Sequence, residues 1–231
     1  MNLQVDRVTK QYKNKIAVDR LSFELKEGVT GLLGANGAGK TTLMRMITGI
    51  LNPTSGEIKA DGIPVSSEEY RAMLGYLPQD FGYYPEFSAR DFIMYFAALK
   101  GINKKDAKRK TDELLNIVGL SDVANKKIKT FSGGMKQRIG IAQAIINQPK
   151  ILILDEPTAG LDPKERVRFR NLIAQIGENT IILFSTHIVS DIAHIADNVL
   201  MMRDGRLIYS GSWDEEKGDL EEFYMKELEE L

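Results

Sequence analysis

Hydrophobic and polar positions alternate one by one near the start of the chain. LQVDRV, beginning at Leu3, and IAVDRLSFEL, from Ile16 to Leu25, show the period-two pattern of strands with one buried face. VTGLLG, Val29 to Gly34, is a short apolar run and reads as a fully buried strand. After a glycine-rich turn, TTLMRMITGIL reads as a helix. Asn52 to Gly56 makes a turn, GEIKADGIPV a hairpin about Asp61-Gly62, and MLGYLP a short strand.

From Ser88 the period lengthens. SARDFIMYFAALKG predicts a helix capped by Ser88, with Asp91 three residues on, that stops at Gly101. NKKDAKRKTDELLNIVGL and SGGMKQRIGIAQAIIN predict two more helices. Strand and helix then alternate: ILILDEP, DPKERVRFRNLIAQIG, TIILFSTH, a short helix, NVLMMR, an Asp204-Gly205 turn and RLIYSG. LEEFYMKELEEL reads as a final helix with Leu220, Phe223, Tyr224 and Leu228 on its packed face. Apolar strands alternating with helices imply a parallel sheet covered on both faces. The expected fold is α/β: a core from 1–80 and 140–212 with an N-terminal antiparallel β part, a helical lobe inserted at about 80–140, and an acidic C-terminal helix at 213–231, all in one domain.

Composition narrows the chemistry. The 231 residues include no Cys and 2 His, which removes thiol nucleophiles, disulfides, and Cys- or His-rich metal sites. The net charge of -1 argues against a general nucleic-acid binder. It is an average, because nine acids and two lysines from Asp214 onward give -7 and leave +6 before them. The longest uncharged stretch, Gly28 to Gly39, is too short and glycine-rich to span a bilayer, and MNLQVDRVTK has no apolar signal core. A soluble, intracellular chain is expected.

GANGAGKTT, Gly34 to Thr42, stands where a buried strand turns into a helix. It fits G-x-x-x-x-G-K-[ST] through Gly34, Gly39, Lys40 and Thr41. Gly34, Gly37 and Gly39 let backbone N–H groups approach phosphate oxygens, and the helix dipole adds to them. Lys40 reaches the β- and γ-phosphates and the Thr41 hydroxyl suits Mg²⁺. ILILDEP places Asp155 and Glu156 at the carboxyl end of a strand, where α/β sheets bind ligands. Asp155 suits Mg²⁺, and Glu156 the polarisation of attacking water.

FSGGMKQR, shortly before ILILDEP, adds a helix opening that Ser132 can cap, with bare N–H groups at Gly133 and Gly134, a second anion site. With the phosphate loop, Gln79 in YLPQD, the SGG, Asp155-Glu156, Leu161-Asp162 and His187 in STH, all in order, the chain resembles the nucleotide-binding subunits of ABC transporters. The resemblance covers nearly the whole chain and implies a P-loop NTPase core. It implies that Gly34, Asn36, Gly37, Ala38, Gly39, Lys40, Thr41 and Thr42 cradle ATP and that Tyr12 stacks on adenine. Thr41, Gln79 and Asp155 would serve Mg²⁺, and Glu156, His187 and Lys40 catalysis. Ser132, Gly133, Gly134 and Asp162 would act on the ATP of a second, head-to-tail subunit. A helix N-cap before Pro163 is the plainer role for Asp162.

The family pattern LSGGQ is altered at Phe131, which keeps an apolar anchor, and at Met135, which removes a polar group. The resemblance further implies separate transmembrane subunits that alone touch the cargo, and a peripheral place on the inner face of the cell membrane. The aromatic loop FGYYPEF would face the membrane subunit. YLPQDFGYYPEFSARDFIMYFAALKG and SGGMKQR look most like drug- and antibiotic-export ATPases. An importer subunit and a soluble, non-transport ABC ATPase are the alternatives. His194 and Met44, Met46, Met201 and Met202 are expected to be structural.

Overall fold

The computed structural model describes residues 1–214 and 218–229. β1 (Asn2–Tyr12), β2 (Lys15–Lys26), β4 (Ser55–Ala60) and β5 (Ile63–Pro64) form an antiparallel sheet in the order β2-β1-β4-β5. Along β2, Val18, Leu21, Phe23 and Leu25 point inward while their neighbours face solvent, so the alternation seen in the sequence selects the buried face.

β3 (Gly28–Leu33), β6 (Leu74–Leu77), β7 (Ile151–Asp155), β8 (Ile181–Thr186), β9 (Asn198–Arg203) and β10 (Arg206–Ser212) make a second sheet, ordered β10-β9-β3-β8-β7-β6. All its pairings are parallel except β9 with β10. β7 and β8 are buried at every position, as expected where both faces are covered. Leu32, Ile153 and Leu183 face a cluster with the antiparallel sheet and α1 (Lys40–Ile47). Leu33, Leu154 and Phe184 face a cluster that continues into α3 (Ala89–Leu99), α4 (Lys104–Ile117) and α5 (Gly133–Ala144) through Phe92, Leu115 and Ile141.

These three helices lie between β6 and β7 in the chain. Each begins at a side chain that accepts a backbone N–H three residues on: Ser88 from Asp91, Asn103 from Asp106, Ser132 from Met135. α6 (Pro163–Gly177) begins likewise at Asp162.

One element was not anticipated and one expectation needs correcting. Glu68–Met73 forms a short helix, α2, capped by Ser67, and takes Met73 from the strand expected at MLGYLP. The segment after His187 is a single 3₁₀ turn, Val189–Asp191, where a short helix was expected. Asp191 is buried there and accepts the Thr158 hydroxyl at 2.5 Å, a tertiary bond that holds the turn. The final helix, α7 (Leu220–Glu229), buries Leu220 and Tyr224 and packs Phe223 on Trp213 and Tyr209. The remainder of the acidic tail, 215–217 and 230–231, and the Leu228 side chain lie outside the described residues. Met44, Met46, Met201 and Met202 are fully buried, as expected.

Candidate active site

The parallel register sets the site. Leu33 lies beside Thr186, Asp155 beside Ser185, and Leu77 beside Leu154. The segments leaving the carboxyl ends of β3, β6, β7 and β8 therefore converge on one edge of the sheet. They carry the glycine-rich loop, Gln79, Glu156 and His187. A cavity of about 660 Å³ opens there, lined by Tyr12, Asn36, Gly37, Gly39, Lys40, Thr41, Thr42, Gln79, Glu156 and His187. Gly34 and Ala38 are buried within the loop. Asp155 lies fully buried against Thr41, its Oδ1 3.4 Å from the Thr41 hydroxyl.

The loop is held by shape. Gly39 sits at φ 106 and no side chain caps α1, which leaves the N–H groups of its first turn facing outward. A Cβ on Gly39 would stand 2.5 Å from the Ala17 carbonyl oxygen. Lys40 is buried to 5% exposure; its Nζ donates to Gly34 O at 2.6 Å and Ala35 O at 3.3 Å and lies 3.3 Å from Glu156 Oε1. The ammonium is thus pulled back along the loop that it closes.

Glu156 occupies a left-handed conformation, φ 47, a state costing about 1–3 kcal/mol that persists only when its surroundings enforce it. Ser185 does so: its Oγ accepts the Glu156 N–H at 2.9 Å and donates to Asp155 Oδ1 at 2.8 Å. Glu156 Oε2 lies 3.0 Å from His187 Nδ1. Burial pushes the Asp155 carboxyl above its ordinary range, opposed by the Ser185 and Thr41 hydroxyls. Its Oδ2 is buried with no hydrogen-bond partner among the described residues.

Sequence reasoning missed Ser185, although it precedes Thr186 and His187 in the same STH segment. It missed Lys15 and Ala17, which line the cavity beside Tyr12. Only the β1–β2 turn brings them there, and the glycine pattern carries no trace of it.

Ser132, Gly133, Gly134 and Asp162 are not among the residues lining this cavity. Ser132 and Gly133 are exposed. Gly134 has a different reason to be glycine, because a Cβ there would stand 2.8 Å from Glu165 Cγ on α6. Glu165 also pairs with Arg138 of α5 at 3.2 Å. Asp162 accepts the Glu165 N–H at 3.0 Å, so the N-cap role is present. Met135 is half-buried against the core, which makes it a packing residue. The aromatic loop is better packed than its sequence suggested: Phe81, Tyr83 and Phe87 lean on the core, while Tyr84 stays 46% exposed.

The sequence pattern of the ABC transporter family matches residues 18–159, from β2 through the loop after Glu156. The chain belongs to the ABC transporter family. It is an ATP-binding subunit of that kind, and its relatives carry the same description. It is 36% identical to the linearmycin resistance ATP-binding protein of Bacillus subtilis over 91% of this chain and 69% of that one. It is 41% identical to the bacitracin transport ATP-binding protein of Bacillus licheniformis over 87% of this chain and 66% of that one. A bacterial ABC transporter cassette solved as a dimer superposes with a TM-score of 0.82 at 25% identity, covering 91% of this chain and 98% of that one. Among the described residues, no helix of this ABC subunit is long and apolar enough to cross a membrane.

Proposed function

We propose that this subunit hydrolyses ATP to drive export through separate membrane-spanning partners. The observation that carries the reading is the convergence of Lys40, Thr41, Gln79, Glu156 and His187 on one cavity, with Asp155 directly beneath Thr41. Backbone N–H groups of the loop and the Lys40 ammonium bind the phosphates, and preorganised donors of this kind stabilise the charge that develops in phosphoryl transfer. Glu156 accepts a proton from the attacking water, and His187, 3.0 Å away, fixes the direction of that carboxylate and reaches for the γ-phosphate. Tyr12, 46% exposed at the cavity mouth, offers a ring for adenine.

Mg²⁺ fits the residues present. Asp155 Oδ2 is a buried oxygen without a partner, Oδ1 faces the Thr41 hydroxyl, and Gln79 lines the same cavity. These three residues would hold the ion, which when bound neutralises phosphate charge.

Ser132, Gly133 and Asp162 lie away from their own chain's cavity, and we assign them to the ATP of a second subunit packed head to tail. A similar cassette solved as a dimer supports pairing of two such subunits. Resistance and antibiotic transport in the named relatives support export. Tyr84 and Tyr95, 5.4 Å apart, and Leu99 are exposed together on the helical lobe and suit a membrane subunit. On this reading the subunit sits on the inner face of the cell membrane, where ATP is, and meets neither cargo nor nucleic acid.

Glu156→Gln tests the shared site. It is expected to bind ATP, hydrolyse it at least about 100-fold more slowly, and run as a dimer on size-exclusion chromatography with ATP. An ATP-bound monomer would overturn the head-to-tail reading. Copurification of a multi-spanning protein with the tagged wild-type subunit tests the transport partner.

A further inference from the structure

The Asp204-Gly205 turn reads in the sequence as an ordinary hairpin between β9 and β10. In the fold it reaches the loop that closes on Lys40. The Gly205 N–H donates to Ala38 O at 2.9 Å, and Gly205 O accepts the Asp19 N–H at 2.8 Å. One residue therefore ties the glycine-rich loop to β2. Asp204 and Gly205 both have positive φ, 49 and 80, and a Cβ on Gly205 would stand 2.9 Å from the Ala17 carbonyl oxygen. Ala17 itself lines the nucleotide cavity.

A side-chain latch closes over the turn. Arg206 grips Asp19 Oδ2 through Nε at 3.0 Å and Nη2 at 2.9 Å, while Arg20 Nε donates to Oδ1 at 3.1 Å. Beneath it, the end of β9 presses on the same loop: a Cβ on Gly34 would meet Met202 O at 2.6 Å.

The consequence follows from peptide geometry. In a planar trans peptide the C=O and the next N–H point in opposite directions. Gly205 holds the Ala38 carbonyl, so the N–H of Gly39 in the same peptide is aimed the other way. Gly39 lines the cavity, and its N–H is one of the donors a phosphate needs.

We propose that the β9–β10 turn is a brace that fixes the Ala38–Gly39 peptide in its phosphate-binding orientation, with Gly205 as the positioning residue and the Arg206–Asp19 pair as its latch. The proposal rests on Gly34 to Thr42 being the phosphate loop. The brace touches no phosphate; it sets the direction of a donor that does.

The test is made on the intact subunit by calorimetric titration with ATP, alongside steady-state hydrolysis. Gly205→Ala pushes the turn off Ala17 and frees the Ala38 carbonyl. The dissociation constant and KM for ATP are each expected to rise roughly tenfold, the scale of one hydrogen bond to a charged ligand, with kcat at saturating ATP within about twofold. Arg206→Ala is expected to raise both constants about two- to threefold, and Arg206→Lys, which keeps one ion pair, to recover most of that loss. Wild-type affinity in folded Gly205→Ala, or a loss confined to kcat, overturns the brace. If Gly205→Ala does not fold, the Arg206 pair decides, and equal affinity in Arg206→Ala and wild type overturns it. Lys40→Ala separates the two layers. Unchanged ATP binding in that variant would defeat the phosphate-loop reading itself, whereas lost binding there with normal Gly205→Ala defeats the brace alone.

Discussion

Two glycine-led helix starts in this chain, both assigned above to the phosphates of ATP, are finished to different degrees. α1 follows Gly39 with no side-chain cap, and a buried Lys40 returns over the loop before it. α5 follows Ser132, whose hydroxyl already accepts the Met135 N–H at 3.3 Å, and only Ser132 and Gly133 at its start are exposed. The first is enclosed by β2, β9 and the strand ends, and the acidic and hydroxyl groups of catalysis lie within contact distance. The second has one donor occupied, and the more open cavity beside Gly133 is lined by Lys136, a partly exposed cation in place of a buried one. A helix dipole alone attracts an anion weakly at an exposed site, about 0.3–1 kcal/mol, so the second start gains its worth only when another surface closes over it. On the proposed reading, the contrast teaches that the chain carries one full cradle and one half-site.

The largest expected effect comes from breaking the full cradle. Lys40→Ala removes the cation that bridges Gly34 O, Ala35 O and Glu156. Turnover should fall by at least about 10²–10³-fold, the scale of losing one preorganised charge-stabilising donor, and ATP binding should weaken in the same titration. Near-normal ATPase activity would remove the ground for treating α1 as the finished site.

Next comes the half-site. Ser132→Ala deletes the α5 cap, which costs about 1 kcal/mol of stability, and a hydroxyl offered to the opposing nucleotide. If the site is shared, ATP binding to the isolated monomer stays at the wild-type value while hydrolysis drops roughly ten- to a hundredfold, as for a hydrogen bond to a charged group. Equal losses in both measurements would mean that Ser132 serves its own chain's nucleotide. Glu156→Gln, by holding the dimer closed, should make the Ser132 effect visible as a weakened dimer on chromatography. Met135→Gln has a smaller expected effect. Met135 packs on the core rather than facing the cavity, so the change should lower the melting temperature by a few degrees and leave hydrolysis within about threefold.

What was legible in the sequence follows the same division. The full cradle could be read because its parts are local. A buried strand, a glycine loop, Lys40 and Thr41 lie within one stretch of chain, and the period of β7 ends visibly at Asp155. The order of the alternating strands and helices also gave the α/β class. The parts that escaped depend on partners far away in sequence. Ser185 matters because register places it beside Asp155. Gly134 needs to be glycine because Glu165, on another helix, lies against it. The 3₁₀ turn at Val189–Asp191 is tied to the loop after β7 by the Thr158–Asp191 bond, a partner 33 residues away. The short helix α2 starts at Ser67 with no apolar period to announce it.

The smallest effect tests how the lobe carrying the half-site is held. Glu86, in the aromatic loop, pairs with Lys127 at 2.7 Å and Lys129 at 2.8 Å, immediately before Ser132. These two ammonium groups, Lys127 foremost, pull the Glu86 carboxyl down from 4.5 to about 2. A carboxyl depressed in the folded state stabilises that state above its ordinary value and loses the contribution as pH falls from about 4.5 towards 2. The pair is exposed, so salt screens it and the contribution is small. Glu86→Gln should therefore lower the melting temperature slightly at pH 7, have much less effect near pH 2, and show a difference that shrinks in 1 M salt. The cradle around α1 is tied to other contacts, so ATP affinity at pH 7 should not move. A shift in that affinity would mean that the two helix starts are coupled within one chain, and the division between full cradle and half-site would have to be redrawn.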